Sequence, residues 1–309
     1  MSADRRSVLR RVGLVILAIN LALVVGKGTV WYYTGSLAVE SEAINSLADS
    51  IYSVVTVAGL YLTTQPPDFE HPHGHERIEP FVSLFVALGI FGAGLGVLYQ
   101  AAQAILVGEV AVTRNLAAVV ILIVTIGVKY GLYWYVERIS EEHNSPALRA
   151  TALDNRADVL TASAALAGVV GASLGYPILD PVAAVVVAFG ILYTGVEIVR
   201  DNVNYLVGRA PPADLRAQIV RRALAHPDVE GAHDVIAHYV GPEIDVSLHI
   251  EVEGDRTLRE AHDIESAVVE SIAALPEVDD VFVHIDPKEL GEWKRDGDVE
   301  KLADYETGE

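Results

Sequence analysis

Six stretches of this 309-residue chain are long and apolar: roughly Val12–Tyr32, Leu37–Leu62, Phe81–Leu106, Asn115–Tyr135, Leu148–Leu174 and Pro181–Val199. About 20 apolar residues in a helix cross a hydrocarbon core, so each stretch predicts a transmembrane helix. The run from Val12 is too long for the apolar part of a cleaved signal peptide, and no small-residue cleavage site follows it.

The chain is 51% hydrophobic yet carries a formal net charge of -20. The two facts agree only if charge and apolar residues are segregated. Up to about Val199 the sequence is mostly apolar runs, and from Arg200 onward it is polar and acidic. We therefore expect a six-helix membrane domain over 1–208, a small α+β domain over 209–287 and an acidic, disordered tail over 288–309. The acidity argues against nucleic acid as a partner. With no cysteine, any metal site must use His, Asp, Glu, Asn or backbone oxygen.

The loops after the first, third and fifth stretches are short. Arg5, Arg6, Arg10, Arg11, Arg77, Arg138, Arg149, Arg200 and Arg209 fall on the opposite side, with Arg114 the one dissenter. By the positive-inside rule both termini and the Thr63–Pro80 loop are expected to be cytoplasmic, in a multi-pass protein of the cell membrane. The C-terminal domain reads as helix, strand, strand, helix, strand (αββαβ): a helix after Pro211-Pro212, strands over Val229–Tyr239 and Ile244–Val252 joined at Gly241-Pro242, a helix over Leu258–Leu275 and a strand over Asp280–Ile285.

Polar groups inside the spans are the sharpest functional signal, because an Asp at a helix centre costs roughly 2.5–3.5 kcal/mol to insert. The second span carries Asn45 and Asp49, the fifth Asp154 and Asp158. Each pair is spaced i, i+4 and shares a helix face. Two such faces turned together place three carboxylates and an amide around one point. Mutual repulsion is relieved by a bound dication or by protons, which predicts a site that exchanges metal for protons. The bland alternative is local pairing of Asp154 or Asp158 with Arg156, which lies off their face. Glu40 and Glu42 sit near a short loop, where a carboxylate is readily solvated. Lys27 and Lys129 read as snorkelling or interhelical pair residues.

Two further clusters carry ligand-type residues. The loop after the second span contains Asp68, His71, His73 and His75, either a metal site or a pH-sensitive polar loop. The α+β domain contains His233, His249, His262, His284 and Asp286, with His284 and Asp286 on one strand face. His226 and His238 read as solvated. No nucleophile elbow, phosphate loop, dinucleotide fingerprint or HExxH motif occurs, so no enzyme activity is expected.

Three segments resemble the cation diffusion facilitator family: TGSLAVESEAINSLAD from Thr34 to Asp49, HPHGHERIE from His71 to Glu79, and DNRAD from Asp154 to Asp158. The resemblance runs from about Val8 to Asp286. It implies six spans followed by a metallochaperone-like, ferredoxin-like cytoplasmic domain, working as a homodimer that exports divalent metal against protons. It maps a transport site to Asn45, Asp49, Asp154 and Asp158. It also implies a loop site at Asp68 and His75 with His71 nearby, and a cytoplasmic site at His233, His249, His262, His284 and Asp286. Zinc-type members usually place a His at the position of Asn45 or Asp154. Both are oxygen donors here, which resembles the manganese branch. In that family a basic loop residue often pairs with an acid after the sixth span. Arg77 is present, but the segment after the span reads Leu206-Val207-Gly208-Arg209.

Oxygen donors suit hard cations such as Mn²⁺, while imidazole favours later transition metals. The expected order is Mn²⁺, then Fe²⁺, then Zn²⁺ or Co²⁺. The alternatives are a zinc or cobalt exporter of the same family and a membrane-anchored metal sensor. An anchor, however, needs no carboxylates at mid-span depth. An intramembrane hydrolase would need a base and a water site separate from the ligands, which the sequence does not offer.

Overall fold

The structure is a computed structural model and describes residues 3–34, 37–66, 68–107, 116–173, 176, 178–288 and 301–302. It divides into two compact units, Met1–Val203 and Asn204–Glu309.

The first unit is helical. Its elements are α1 (Ala3–Thr34), α2 (Leu37–Thr63), α3 (Ile78–Val107), α4 (Leu116–Glu142), α5 (Pro146–Ser173) and α6 (Leu179–Leu206). At 1.5 Å per residue, even 27 helical residues reach about 40 Å, enough for a bilayer with its interfaces. The outward positions are apolar: Leu14, Val25, Leu88, Val186 and Phe189 are all exposed. The buried positions include Asn20, Lys27, Asp49, Glu79, Lys129 and Asn155. That distribution inverts a water-soluble bundle and suits a hydrocarbon solvent. Among the described residues, five helices are long and apolar enough to cross a membrane. The expected fifth span, α5, falls short because Arg149, Asp154, Arg156 and Asp158 crowd its first half.

Helix α1 begins nine residues before the expected span, so Arg5, Arg6, Arg10 and Arg11 are helical. The side chains of Arg5 and Arg10 tie the bundle end together. Arg5 Nε donates to His143 O at 2.9 Å, and Arg10 Nε to Thr64 Oγ1 at 2.7 Å. The α4–α5 connection is held by an N-terminal cap: Ser145 Oγ accepts from the Leu148 backbone N–H, with Pro146 at the first helical position. Glu79, fully buried, accepts from the Ser145 hydroxyl and from the Ala147 backbone N–H.

Packing is tight where small residues meet large ones. Gly94 of α3 lies against Leu192 and Ile191 of α6, and Gly195 of α6 against Phe91. Val86, Ile90, Leu153, Ala157, Ile191 and Ile198 form one core from α3, α5 and α6. Leu9, Val12, Ile16, Leu60, Leu132 and Leu148 form another from α1, α2, α4 and α5.

The second unit contains α7 (Ala213–Leu224), β1 (Gly231–Val240), β2 (Glu243–Val252), α8 (Leu258–Ala273) and β3 (Val278–Pro287). This is the expected order: β1 starts two residues later and ends one residue later than its sequence-read bounds, β2 starts one residue earlier, and β3 extends two residues further at each end. The sheet order is β1-β2-β3, with β1 and β2 antiparallel and β2 and β3 parallel. The parallel pair requires a crossover, and α8 supplies it. Helix α8 starts with a capping box in which Thr257 and Glu260 satisfy each other's backbone N–H groups. The core between helices and sheet is built from Ile219, Val246, Leu248, Ile250, Val268 and Ile272. Most of the expected disordered tail, 289–300 and 303–309, lies outside the described residues. Leu302 departs from that expectation: it is buried against Ala217 and Val220.

Candidate metal centres

The membrane unit brings three carboxylates to one point. Asp49 of α2 and Asp154 and Asp158 of α5 each present an oxygen within 4.8 Å of the others. Asn45, one turn before Asp49 on α2, is exposed. The alternative of local pairing with Arg156 is not seen among the described residues: Arg156 Nη2 donates to Thr194 Oγ1 of α6 at 3.1 Å. The cation at the cluster is Lys129 of α4. Its Nζ donates to Asp49 Oδ2 at 2.7 Å and lies 2.7 Å from Asp158 Oδ2. Lys129 is therefore an interhelical pair residue and does not snorkel; its side chain is 1% exposed. Lys27 likewise pairs with Glu42, at 2.8 Å. Behind the cluster, Asn20 of α1 donates to Ser53 Oγ at 2.7 Å, and the Ser53 hydroxyl donates to Asp49 O. That chain fixes the turn of α2 that carries Asp49.

The loop between α2 and α3 forms the second centre, Asp68, His71 and His75. His71 Nδ1 is 3.2 Å and His75 Nε2 3.5 Å from the Asp68 carboxylate. The imidazoles of His71 and His75 stack obliquely, 4.6 Å apart. Gly74 has φ +87, a left-handed conformation that folds the chain back between them. The backbone N–H groups of His71 and Glu70 donate to Asp68 Oδ1. Chiefly the His71 N–H, and then the His71 side chain, hold the Asp68 carboxyl below its usual range, despite some opposing burial.

The sheet of the second unit builds the third centre by register. His233 of β1 lies opposite His249 of β2, and His249 is level with His284 of β3. Three histidines thus form a row across the strands, with ring centroids 5.1 and 4.7 Å apart. Asp286 closes the row: its Oδ2 is 2.8 Å from His249 Nδ1 and 3.3 Å from His233 Nε2, and its Oδ1 is 3.3 Å from His284 Nε2. Burial pushes Asp286 up, but the His249 hydrogen bond and the imidazoles of His284, His249 and His233 outweigh it and leave the carboxyl below its usual range. Glu251, beneath the row, is pushed up by burial and by Asp286, against the influence of His233.

The fifth expected member, His262, joins none of these groups among the described residues. It sits on α8, exposed, 3.4 Å from Glu265, and shares a cleft with His284. Conversely, Asp234 joins His233 and His249 as a possible ligand. It has φ +48 and lies at a bulge in β1, between His233 and Ile236. Alternation alone would turn Asp234 to the other face from His233, and only the bulge brings it round, so nothing but an acid next to a His marks it in the sequence.

A helical membrane unit with a carboxylate trio, buried at Asp49 and half-buried at Asp154 and Asp158, followed by an αββαβ domain with a histidine row, defines a membrane metal-cation transporter class. Residues 13–207 match the cation efflux transmembrane domain, and residues 211–288 match the cation efflux protein cytoplasmic domain. The chain belongs to the cation efflux, or cation diffusion facilitator, family. It is 35% identical to an uncharacterized transporter of Methanocaldococcus jannaschii, covering 86% of this chain and 94% of that one. It is 28% identical to the magnetosome protein MamM of Paramagnetospirillum magneticum (96% and 94% covered) and 28% identical to the cation-efflux pump FieF of Cronobacter sakazakii (93% and 95% covered).

Proposed function

We propose that this cation efflux protein exports divalent metal from the cytoplasm in exchange for protons, with Mn²⁺ its preferred cargo and Fe²⁺ next. The observation that carries the reading is the convergence of Asp49, Asp154 and Asp158 from two helices inside the membrane unit. Three carboxylates in a low-dielectric site hold a dication or protons in turn, which is the basis of exchange. Asn45 completes the transport site with an amide oxygen. The ion order follows from the donors: oxygen ligands suit hard cations, and no imidazole is offered. Zn²⁺ and Co²⁺ are the alternative cargoes, since both also bind carboxylates.

In this reading the domain boundaries fall at 208/209 and 287/288. The protein works as a homodimer in the cell membrane with both termini cytoplasmic, a topology supported by the arginine asymmetry of the loops. The loop centre of Asp68, His71 and His75 serves metal delivery. The centre of His233, His249, His284 and Asp286, with His262, senses cytoplasmic metal. The test is uptake of Mn²⁺, Fe²⁺, Zn²⁺ and Co²⁺ into inverted vesicles with and without a pH gradient. Export predicts saturable uptake, strongest for Mn²⁺, that acidifying the vesicle lumen accelerates. Uptake indifferent to the gradient would remove the proton from the scheme.

A further inference from the structure

Among the described residues Lys129 is the largest side chain that is completely buried. An ammonium at such a place persists only with counter-charge beside it. Its counter-charges are the carboxylates assigned above to metal. Nζ stands 2.7 Å from Asp49 Oδ2 and 2.7 Å from Asp158 Oδ2, with Asp154 in the same group. A hard dication would approach the same oxygens at about 2.0–2.6 Å. Metal and ammonium would therefore need overlapping positions, and two cations at such separation repel.

We infer that Lys129 is a tethered cation that fills the transport site of the metal-free protein, and that metal enters by displacing its ammonium. The inference rests on the transport-site reading above. Two details support displacement. The ammonium meets the trio through one oxygen each of Asp49 and Asp158, at 2.7 Å. The other carboxylate oxygens of the group stay available to an incoming ion. There is also a place for the ammonium to go, still within reach of the carboxylates. Thr125, one turn earlier on the same face of α4, has a buried Oγ1 with no hydrogen-bond partner among the described residues.

The tether has a use in transport. A site that must release its cargo cannot bind it too tightly. A competitor on the same chain has a fixed effective concentration, so it weakens metal binding by a constant factor on both sides of the membrane. It also keeps the empty site partly neutralised while the carrier resets.

The experiment is Mn²⁺ titration calorimetry of the full-length protein in detergent at one pH. His75→Ala, His249→Ala and Asp286→Ala silence the other centres in every sample. Lys129→Gln is expected to bind Mn²⁺ at least tenfold more tightly than this parent. Thr125→Val, which removes the landing place, is expected to bind at least threefold more weakly. If Lys129→Gln is too unstable to purify, Lys129→Met, which keeps the reach of the side chain and removes its charge, replaces it and is likewise expected to bind at least tenfold more tightly. A purely structural lysine predicts weaker or unchanged affinity in these lysine variants, and that result overturns the inference. Asp49→Ala separates the two levels. Lost binding there with no gain from Lys129→Gln refutes the tethered cation alone, whereas unchanged binding refutes the transport site and the tether together.

Discussion

His249 Nδ1 and Asp286 Oδ2 stand 2.8 Å apart on neighbouring parallel strands, 37 residues apart in sequence. The contact joins one imidazole of a three-histidine row to a carboxylate that also reaches the other two. Replacing both residues with alanine should abolish metal-dependent compaction of the cytoplasmic domain, read by small-angle scattering of the full chain with and without Mn²⁺. Flux should fall by no more than about tenfold, because the membrane carboxylates remain. Complete loss of flux in this double variant would make the domain part of the transport path and remove its sensing role.

Helix packing gives a second expectation. A Cβ at Gly59 of α2 would fall inside the side chain of Val82 of α3. A β-branched neighbour cannot swing away cheaply, and overpacking of this kind costs roughly 1–3 kcal/mol. Gly59→Ala should lower the thermal midpoint of the detergent-solubilised protein, and adding Val82→Ala should restore most of the loss. A Gly59→Ala variant as stable as the wild type would mean that α2 and α3 do not pack at this point.

The capping box of α8 sets a pH dependence. Glu260 accepts from the backbone N–H and the hydroxyl of Thr257, and chiefly the backbone bond holds its carboxyl below its usual range. A depressed folded pKa contributes stability that is present above the unfolded value of about 4.5 and lost as pH falls through the folded value. Amide exchange in the first turn of α8, corrected for intrinsic rates, should accelerate below about pH 4.5. In Glu260→Gln that step should vanish. An acid step of equal size in both proteins would assign it to another group.

Selectivity is expected to sit in the oxygen donors. Asn45→His combined with Asp154→His adds two imidazoles, from which zinc gains more than manganese. Zinc flux relative to manganese flux should rise at least about tenfold, equivalent to roughly 1.4 kcal/mol. Competitive uptake of the two ions at fixed pH reads this ratio. A double variant that keeps the wild-type ratio would place selectivity outside Asn45 and Asp154.

Much of the fold was legible because two periodicities dominate it. Long apolar runs predict helices, and the alternation around Val246, Leu248 and Ile250 predicts a half-buried strand. The carboxylate faces were legible from the i, i+4 spacing of Asp154 and Asp158. What sequence could not provide was register and cross-helix partnership. The row of His233, His249 and His284 depends on strand pairing. The place of Asp234 depends on a bulge. The partners of Lys129 lie on helices remote in sequence, so its charge could be noticed but its contacts with Asp49 and Asp158 could not. The fifth span is read with Asp154 and Asp158 inside it, and together with Arg149 and Arg156 they are what interrupt the apolar run of α5.

The most direct test of metal export through the membrane carboxylates is Mn²⁺ uptake by inverted vesicles containing wild-type protein, Asp49→Ala or Asp158→Ala, with folding verified by a monodisperse elution profile. The account predicts that each variant loses at least about 99% of the uptake rate, because a site built from converging carboxylates does not hold a dication once one is removed. A folded Asp49→Ala or Asp158→Ala protein that transports Mn²⁺ at close to the wild-type rate would contradict it.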